Sequence, residues 1–471
     1  MTEAGTHRKM AGYRPKEEGN LNRRYRIPRC ARWALTAALM TVAGKALAQE
    51  QERLLPIQLG RVNFLPSVTV SHGWDSNVER LSDGDPFVGP IASGIGDIQP
   101  LLRFDLPYRK SLLRLVYRGD YRTYSADILK NSGGMSNFLD FTGLFKAGQQ
   151  LQINVAASYV DSITSLLTVA PGGEYQYGTQ PLTAKEARAG FAYQIGVSQS
   201  VEAGALKAET QFEPSATSAL FTDYAVESLF FRYVLDSGPQ NQIYLSLDRQ
   251  NVQQNGVDTL LQPEDYRVRS VGVGFRRVTG RDLSSEVRVA YTSSDFAEGL
   301  WTPFQGITAE GEINLAPSPQ TQLQLRLRRA PLVSFFNVSA YYLNEAVEFN
   351  LNRALGRRLL LRFLVGVQRN TFSEPIQVVL RTSGGELDQD NDGLIDAYEN
   401  LLPSQGDMRE DRLMNASLTA VWHVSRAMDF SVGYRHQQAR SNVEAVGIDS
   451  NYHIYDYESK GFFLSAILGW Q

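Results

Sequence analysis

The stretch "TQLQLRLRRA", residues 321–330, alternates polar and apolar side chains at every step from Gln322 to Arg328. One face of an extended chain carries Leu323, Leu325 and Leu327, and the other carries Gln322, Gln324, Arg326 and Arg328. Successive side chains of a β-strand point to opposite faces, so a period of two predicts a strand with one apolar and one polar face. The polar face, rich in Arg and Gln, is typical of a strand whose second face is wet.

This alternation recurs along almost the whole chain, and helical periodicity is nearly absent. We count about 18 such segments. Their centres lie near residues 69, 102, 118, 140, 156, 189, 206, 230, 246, 271, 288, 308, 326, 348, 364, 418, 433 and 464. Tight breaks such as "KAGQ", "TGRD" and "ALGR" alternate with longer ones. The pattern predicts an all-β fold: a transmembrane, antiparallel up-and-down β-barrel of about 18 strands (16–18), with short periplasmic turns and long extracellular loops.

A soluble β-propeller or sandwich is the main alternative, because its strands also alternate. Two features favour the membrane barrel. The polar faces carry Arg, Gln, Asn and Ser rather than abundant Lys and Glu, as expected of a water-filled lumen. Aromatic residues also collect at segment ends, as in "YRTY", "WTPF", "YHIYDY" and "LGWQ", which is typical of the girdles at a membrane interface.

The N-terminus predicts export. Five arginines between Arg23 and Arg32 precede the apolar run "WALTAALMTVAG", and Ala46-Leu47-Ala48 supplies a cleavage site of small residues. We therefore assign residues 1–48 to a signal peptide, 49–63 to a periplasmic N-terminal segment and 64–471 to the barrel. A membrane-anchoring helix is the alternative, but the apolar run is too short to span the hydrocarbon layer. The length of the polar leader also allows Met10 as the true start.

Composition narrows the function. Cys30, the single cysteine, lies within the signal peptide, so the predicted mature chain has neither disulfides nor cysteine metal sites. A net charge of −3 does not suggest a nucleic-acid partner. The histidines after the signal peptide are scattered, and no H-E-x-x-H, G-x-S-x-G or P-loop motif occurs. We predict that the protein is not an enzyme, with a Ser-His-Asp arrangement across strands as the minor alternative.

The polar faces predict which charged side chains line the lumen. They are Arg114, Arg118, Arg326, Arg328, Glu348 and Arg362. If two strands turn at "RALGR", Glu348 is expected near Arg362 and close to Arg326. These charges could form a constriction that selects solutes. They could equally form a ladder of cross-strand salt bridges that only satisfies the charges of the lumen.

A calcium loop is predicted within the long excursion at 371–410. In "ELDQDNDGLIDAYEN", residues 386–400, carboxylates occupy positions 1, 3, 5 and 12 of the loop, and Gly393 occupies position 6. The predicted ligands of a structural Ca²⁺ are Asp388, Asp390, Asp392, the Leu394 carbonyl, Asp396 and Glu399. The flanks do not predict EF-hand helices, and the loop resembles the isolated calcium loops of thrombospondin type 3 and dockerin repeats. An acidic, solvated loop tip is the alternative.

The first alternating segment, "FLPSVTVSHGWDSNVERL", carries a family resemblance through its aromatic residue followed by Asp75, Asn77 and Val78. It resembles the opening strand of the β-barrel porin family of exopolysaccharide and capsule operons in Gram-negative bacteria. The resemblance implies an outer-membrane protein that serves polysaccharide export and implies no catalytic residues. The calcium loop is not part of that family's pattern.

The predicted partners follow from this location. They are outer-membrane lipid, an exported polysaccharide, and the barrel-insertion machinery. The last of these is expected to read the final strand, "GFFLSAILGWQ", which resembles a recognition strand although Gln471 follows its aromatic residue. A diffusion porin for small solutes is the alternative function. An adhesive barrel that presents its calcium loop is a third possibility and would need a plugged lumen.

Overall fold

A computed structural model of the protein describes most of the chain after its N-terminal region. The described residues are 56–82, 89–130, 132–163, 181–213, 223–238, 240–255, 265–280, 282–297, 301–334, 339–375, 408–442, 445–446, 451–452 and 456–469. Nearly all of them lie in β-strands, with one 3₁₀ turn at Asp127–Leu129. No helix among these residues is long and apolar enough to span a membrane.

The strands are numbered in chain order. They are β1 (Ile57–Leu59), β2 (Val62–Asp75), β3 (Ser93–Tyr108), β4 (Ser111–Tyr124), β5 (Gly134–Ala147), β6 (Leu151–Ile163), β7 (Pro181–Gln194), β8 (Gln199–Phe212), β9 (Asp223–Asp236), β10 (Asn241–Asn255), β11 (Tyr266–Thr279), β12 (Leu283–Phe296), β13 (Gln305–Ser318), β14 (Thr321–Val333), β15 (Tyr341–Leu355), β16 (Leu359–Pro375), β17 (Met408–His423), β18 (Met428–Ser441), β19 (Ala445–Val446), β20 (Asn451–Tyr452) and β21 (Tyr457–Gly469).

Strands β2 to β18 and β21 form one closed antiparallel barrel. Each strand pairs with the next along the chain, and the first and last strands close the ring in the register Ser67↔Gly469 to Asp75↔Gly461. This confirms the predicted 18-stranded barrel, and every predicted segment centre lies within a separate barrel strand. Closure pairs the backbone groups of every strand on both sides, which a membrane-spanning sheet requires.

Three short strands are not among the 18 strands of the ring. Strand β1 pairs with the start of β2, and β19 pairs with β20 between β18 and β21. The first barrel strand begins at Val62 rather than at residue 64. The long excursion predicted at 371–410 is also narrower, because β16 continues to Pro375 and β17 begins at Met408.

The alternation in the sequence becomes the two faces of the barrel. On β14 and its neighbours, Leu327, Val347, Val367 and Met414 are exposed large apolar residues and follow one another across adjacent strands. They form part of the outward face, which meets lipid in an outer-membrane barrel. The intervening residues, such as Arg326, point into the lumen.

The connections differ sharply between the two ends of the barrel. One end has tight turns, such as those between β11 and β12 and between β15 and β16. Gly280 and Gly356 adopt positive φ angles of 60° and 73° in these turns, a backbone conformation that residues with a Cβ rarely adopt. A Cβ at either position would meet nothing within 4 Å, so glycine is favoured there by backbone conformation rather than by space. The other end carries the long connections, which are extracellular in barrels of this kind.

Candidate functional site

The inner wall of the barrel is the candidate functional surface. By strand alternation, the six predicted lumen residues all belong to this inward face. They come from β4 (Arg114, Arg118), β14 (Arg326, Arg328), β15 (Glu348) and β16 (Arg362).

Arg326 is the centre of a compensated group on β13 to β15. Its guanidinium lies 3.1 Å from a carboxylate oxygen of Glu348 and 3.7 Å from one of Glu312. Glu348 is only 1% exposed and also accepts a hydrogen bond of 2.8 Å from Asn350. Gln324 donates to Glu312 at 3.2 Å. These side chains form the cross-strand ladder that was one of the two alternatives for this region.

The predicted approach of Arg362 to Glu348 is wrong in register. Glu348 pairs with Gly366, whereas Arg362 pairs with Asn352 on one side and Thr419 on the other. The turn at "RALGR" joins Leu355 to Leu359, and Arg362 comes four residues earlier along β16 than Gly366, the partner of Glu348. Arg362 therefore lies closer to the short-turn end of the wall.

The arginines of β4 have different neighbours. Arg114 lies 2.7 Å from Asp105 on β3, and Arg103 approaches the same carboxylate at 2.6 Å. Arg118 instead places its guanidinium 4.0 Å from the centre of the Phe138 ring, a cation–π contact. Arg328 lies between Glu310 and Ala346 in the strand register.

Further ion pairs of the inner wall were not singled out from the sequence. They join Arg122 to Asp97, Arg276 to Glu286, Arg288 to Asp248, Arg409 to Asp411 and Arg435 to Asp75. Each of these side chains is a charged residue at an inward position of its strand, which the sequence pattern could have shown. Assigning its partner also requires the register between the paired strands. The inner wall is therefore charge-compensated, with arginines and carboxylates lying side by side.

Asp75 holds the seam where the first strand meets the last. Its carboxylate accepts hydrogen bonds from the Asn77 backbone N–H at 3.0 Å, the Ser459 hydroxyl at 2.7 Å and Arg435 at 2.9 Å. Asn77 bonds the backbone of Leu81 in both directions, at 2.7 and 2.9 Å. The motif "DSN" thus ends the first strand and turns the chain after it, while Asp75 ties it to β18 and β21.

The segment after this motif folds against the inner wall. Val78 is buried in a cluster with Ile95, Tyr124 and Leu129. Arg80, with a left-handed φ of 57°, is buried and donates to Gln437 at 3.1 Å. Partial burial raises the pKa of the neighbouring Glu79 carboxyl above its ordinary value. This segment narrows the lumen at its long-loop end.

A family comparison agrees with this architecture. Residues 57–378 match the model of the family described as "Putative beta-barrel porin 2", which is well over half of the chain and includes the Asp75 motif. The chain belongs to this porin family. The predicted resemblance is thereby confirmed at the level of the porin family and of an outer-membrane barrel.

Solved porin structures provide distant likenesses. The outer membrane protein opdK from Pseudomonas aeruginosa has 9% identity and a TM-score of 0.42, over 86% of this chain and 99% of that chain. OccK2 (OpdF) from P. aeruginosa, solved in complex with glucuronate, has 10% identity and a TM-score of 0.43, over 87% and 98% of the respective chains. No curated protein matches the chain.

Aromatic side chains gather inside the long-loop end of this porin. Tyr341 lies between the rings of Phe296 and Phe304, with centroid distances of 6.2 Å to each, and its hydroxyl donates to the Thr302 carbonyl at 3.0 Å. Trp301 is buried in the same cluster, which also contains Val226 and Val252 of the inner wall. Residues 301–304 and 340–341 therefore cover the inner wall formed by β9 to β12. These strands lie across the ring from β2, which carries Asp75, so the lumen is narrowed from two opposite sides at this end.

Several predictions fall on residues that the structure does not describe. The signal peptide, the calcium ligands between Asp388 and Glu399, and the terminal Trp470 and Gln471 all lie outside the described residues. The calcium loop and its Ca²⁺ remain predictions. Among the described histidines, His72 and His436 lie on the outward face, and His423 pairs with Asp429 at 2.8 Å near the short-turn end.

Proposed function

We propose that this porin is an outer-membrane conduit or accessory for an exported polysaccharide. The observation that carries the proposal is the charge-compensated inner wall. Inward arginines lie beside carboxylates, as Arg326 does beside Glu348, and amides and hydroxyls fill positions between them. A wall of this composition offers both donors and acceptors of hydrogen bonds.

A sugar chain has matching chemistry, because each hydroxyl both donates and accepts. A guanidinium paired with one carboxylate still has N–H donors to offer, since it carries five of them. Conduction requires contacts that are favourable enough for entry and weak enough for exit. Compensated pairs meet this requirement for an uncharged or weakly charged chain, because they produce no strong net field to trap it.

The dimensions of the barrel are compatible with this role. Barrels of 16 to 18 strands leave an aqueous channel inside the ring. The two inward-folded regions, one after Asp75 and the other around Trp301, pack apolar and aromatic side chains against the wall at the long-loop mouth. An extended chain threads a restricted mouth end-on, whereas restriction confers no benefit on general diffusion.

A deletion strain tests the proposal directly. We expect loss of surface polysaccharide with unchanged uptake of small sugars, and restoration of the polysaccharide by the wild-type gene. Normal polysaccharide together with impaired uptake of a small solute would reject export and favour the alternative, a diffusion porin.

Bilayer recordings of the purified porin provide an independent measurement. We expect a ratio of cation to anion permeability close to one, because the wall charges compensate. Addition of long oligosaccharides should block the current transiently, and short ones should block it less. A strongly selective channel that ignores oligosaccharides would contradict the proposal.

A further inference from the structure

A row of arginines crosses the outward face of the barrel at its long-loop edge. Arg329, Arg369, Arg412 and Arg440 come from β14, β16, β17 and β18. The strand registers align them side by side, with Glu345 of β15 in the remaining place. The side chains of all four are at least half exposed. We call Arg329, Arg369, Arg412 and Arg440 the arginine row.

The arginine row belongs to the outward face rather than to the lumen. The next outward row toward the short-turn end consists of Leu327, Val347, Val367 and Met414, all large, apolar and exposed. This apolar row faces the hydrocarbon of the membrane. The arginines therefore lie where the hydrocarbon gives way to the charged headgroups of the outer leaflet.

A groove runs from this row into the apolar band. It encloses about 740 Å³ and is lined by the arginine row at one end and by Leu327, Val347 and Met414 further in. Ala309 and Gly311 on β13 create the recess, because they stand where neighbouring strands carry large side chains. A Cβ added at Gly311 would lie 3.7 Å from Leu327 and 3.8 Å from Val287, so the groove wall is close there.

The counter-charges of the row leave donors available. Glu410 is shared by Arg369 and Arg412, Glu345 lies 3.4 Å from Arg329, and Asp456 lies 3.0 Å from Arg440. Three carboxylates thus serve four guanidiniums. Exposed ion pairs of this kind are weak and exchange partners readily. Phosphate is a strong bidentate partner for arginine.

We propose that this groove binds lipid A, the phosphorylated, multiply acylated glycolipid of the outer leaflet. The arginine row would hold its phosphates, and the recess at Ala309 and Gly311 would take an acyl chain. A row of cations directly above an apolar recess matches an anionic headgroup joined to acyl chains. The proposal is independent of what passes through the lumen.

The test measures binding of purified lipid A to the folded porin in detergent, by native mass spectrometry and by titration. In the variant Arg369→Gln with Arg412→Gln, we expect affinity to fall about tenfold or more, because two charge-assisted contacts are lost. A matched control, Arg249→Gln with Arg269→Gln, removes two exposed arginines that are register partners on the outward faces of β10 and β11. It should change the affinity less than about twofold, as expected for charges outside the site.

Two further measurements separate the parts of the site. Dephosphorylated lipid A should bind about as weakly to the wild type as lipid A binds to the double variant. Gly311→Leu, which fills the recess and leaves the arginines in place, should weaken lipid A binding severalfold. Each variant is compared only if it still folds, as shown by a gel mobility in SDS that changes on heating, as for a folded barrel.

Three results would overturn the proposal. They are unchanged lipid A binding by the double variant, an equal loss in the matched control, and competition by phosphatidylglycerol at the same concentration as lipid A. The second result would indicate a belt of general anionic attraction. The third would indicate a site for any anionic lipid.

Discussion

The same two residue types, arginine and carboxylate, occur on both faces of this barrel in opposite settings. At the inner seam, Asp75 is 2% exposed and holds Arg435, whose side chain is 29% exposed, at 2.9 Å. On the outward face, Arg412 is 75% exposed and holds Glu410 at 2.9 Å. The distances are equal, so the environment of the two pairs makes the difference.

That difference decides what each pair can do. A buried charge has lost its hydration and depends on its partner, so removing one partner leaves a costly unpaired ion. An exposed pair has water as a ready alternative and contributes little. The inner pairs therefore hold strands in place and keep their partners while their remaining donors face the lumen, whereas the outer arginines can exchange their carboxylates for a ligand.

Asp75→Ala should give the largest effect. It leaves Arg435 without its carboxylate and removes the acceptor for Ser459 and for the Asn77 backbone. We expect a loss of about 3–5 kcal/mol in the free energy of unfolding, the usual cost of breaking a buried pair. Urea unfolding in lipid vesicles measures it.

Asp75→Asn is the matched control for this substitution. It keeps an oxygen acceptor of the same shape and removes only the charge, so it should lose less stability than Asp75→Ala. Equal stability of Asp75→Ala and the wild type would show that the contact between the first and last strands does not depend on this pair. Buried inner pairs would then contribute no more to stability than exposed outer pairs.

Glu348→Ala should have an intermediate effect. Arg326 retains Glu312 at 3.7 Å, so we expect a smaller loss than at the seam, about 2 kcal/mol. The wall also gains a net positive charge, which should shift permeability toward anions in bilayer recordings. Glu345→Gln, the corresponding change on the outward face of the same strand, should leave ion selectivity unchanged.

Arg412→Gln should have the smallest effect on folding. Because the side chain is largely exposed, we expect a change below about 0.5 kcal/mol in the free energy of unfolding. That small change should diminish further in high salt, since exposed charges are screened. A loss of unfolding free energy comparable to that of Asp75→Ala would show that the outer arginines stabilise the fold as much as the inner pairs do.

Much of the architecture was predictable from local pattern. The alternation at Leu323 to Arg328 assigned a strand and its two faces, and the count of such segments predicted the 18-stranded ring that the structure confirms. Arg326 and Glu348 were expected together because their strands are consecutive along the chain and both residues occupy inward positions. Arg362 was placed wrongly because a hairpin register depends on which turn residues leave the ladder.

The sequence by itself determined that this chain alternates along its strands, turns tightly at one end of each pair and extends at the other. Those properties are local, because a period of two is set by the geometry of a single extended strand. Only the tertiary structure decided that Asp75 meets Arg435, 360 residues away, and that arginines from four strands form one row beside a groove. Such neighbours are chosen by the register between paired strands and by ring closure, which join positions that no local pattern connects.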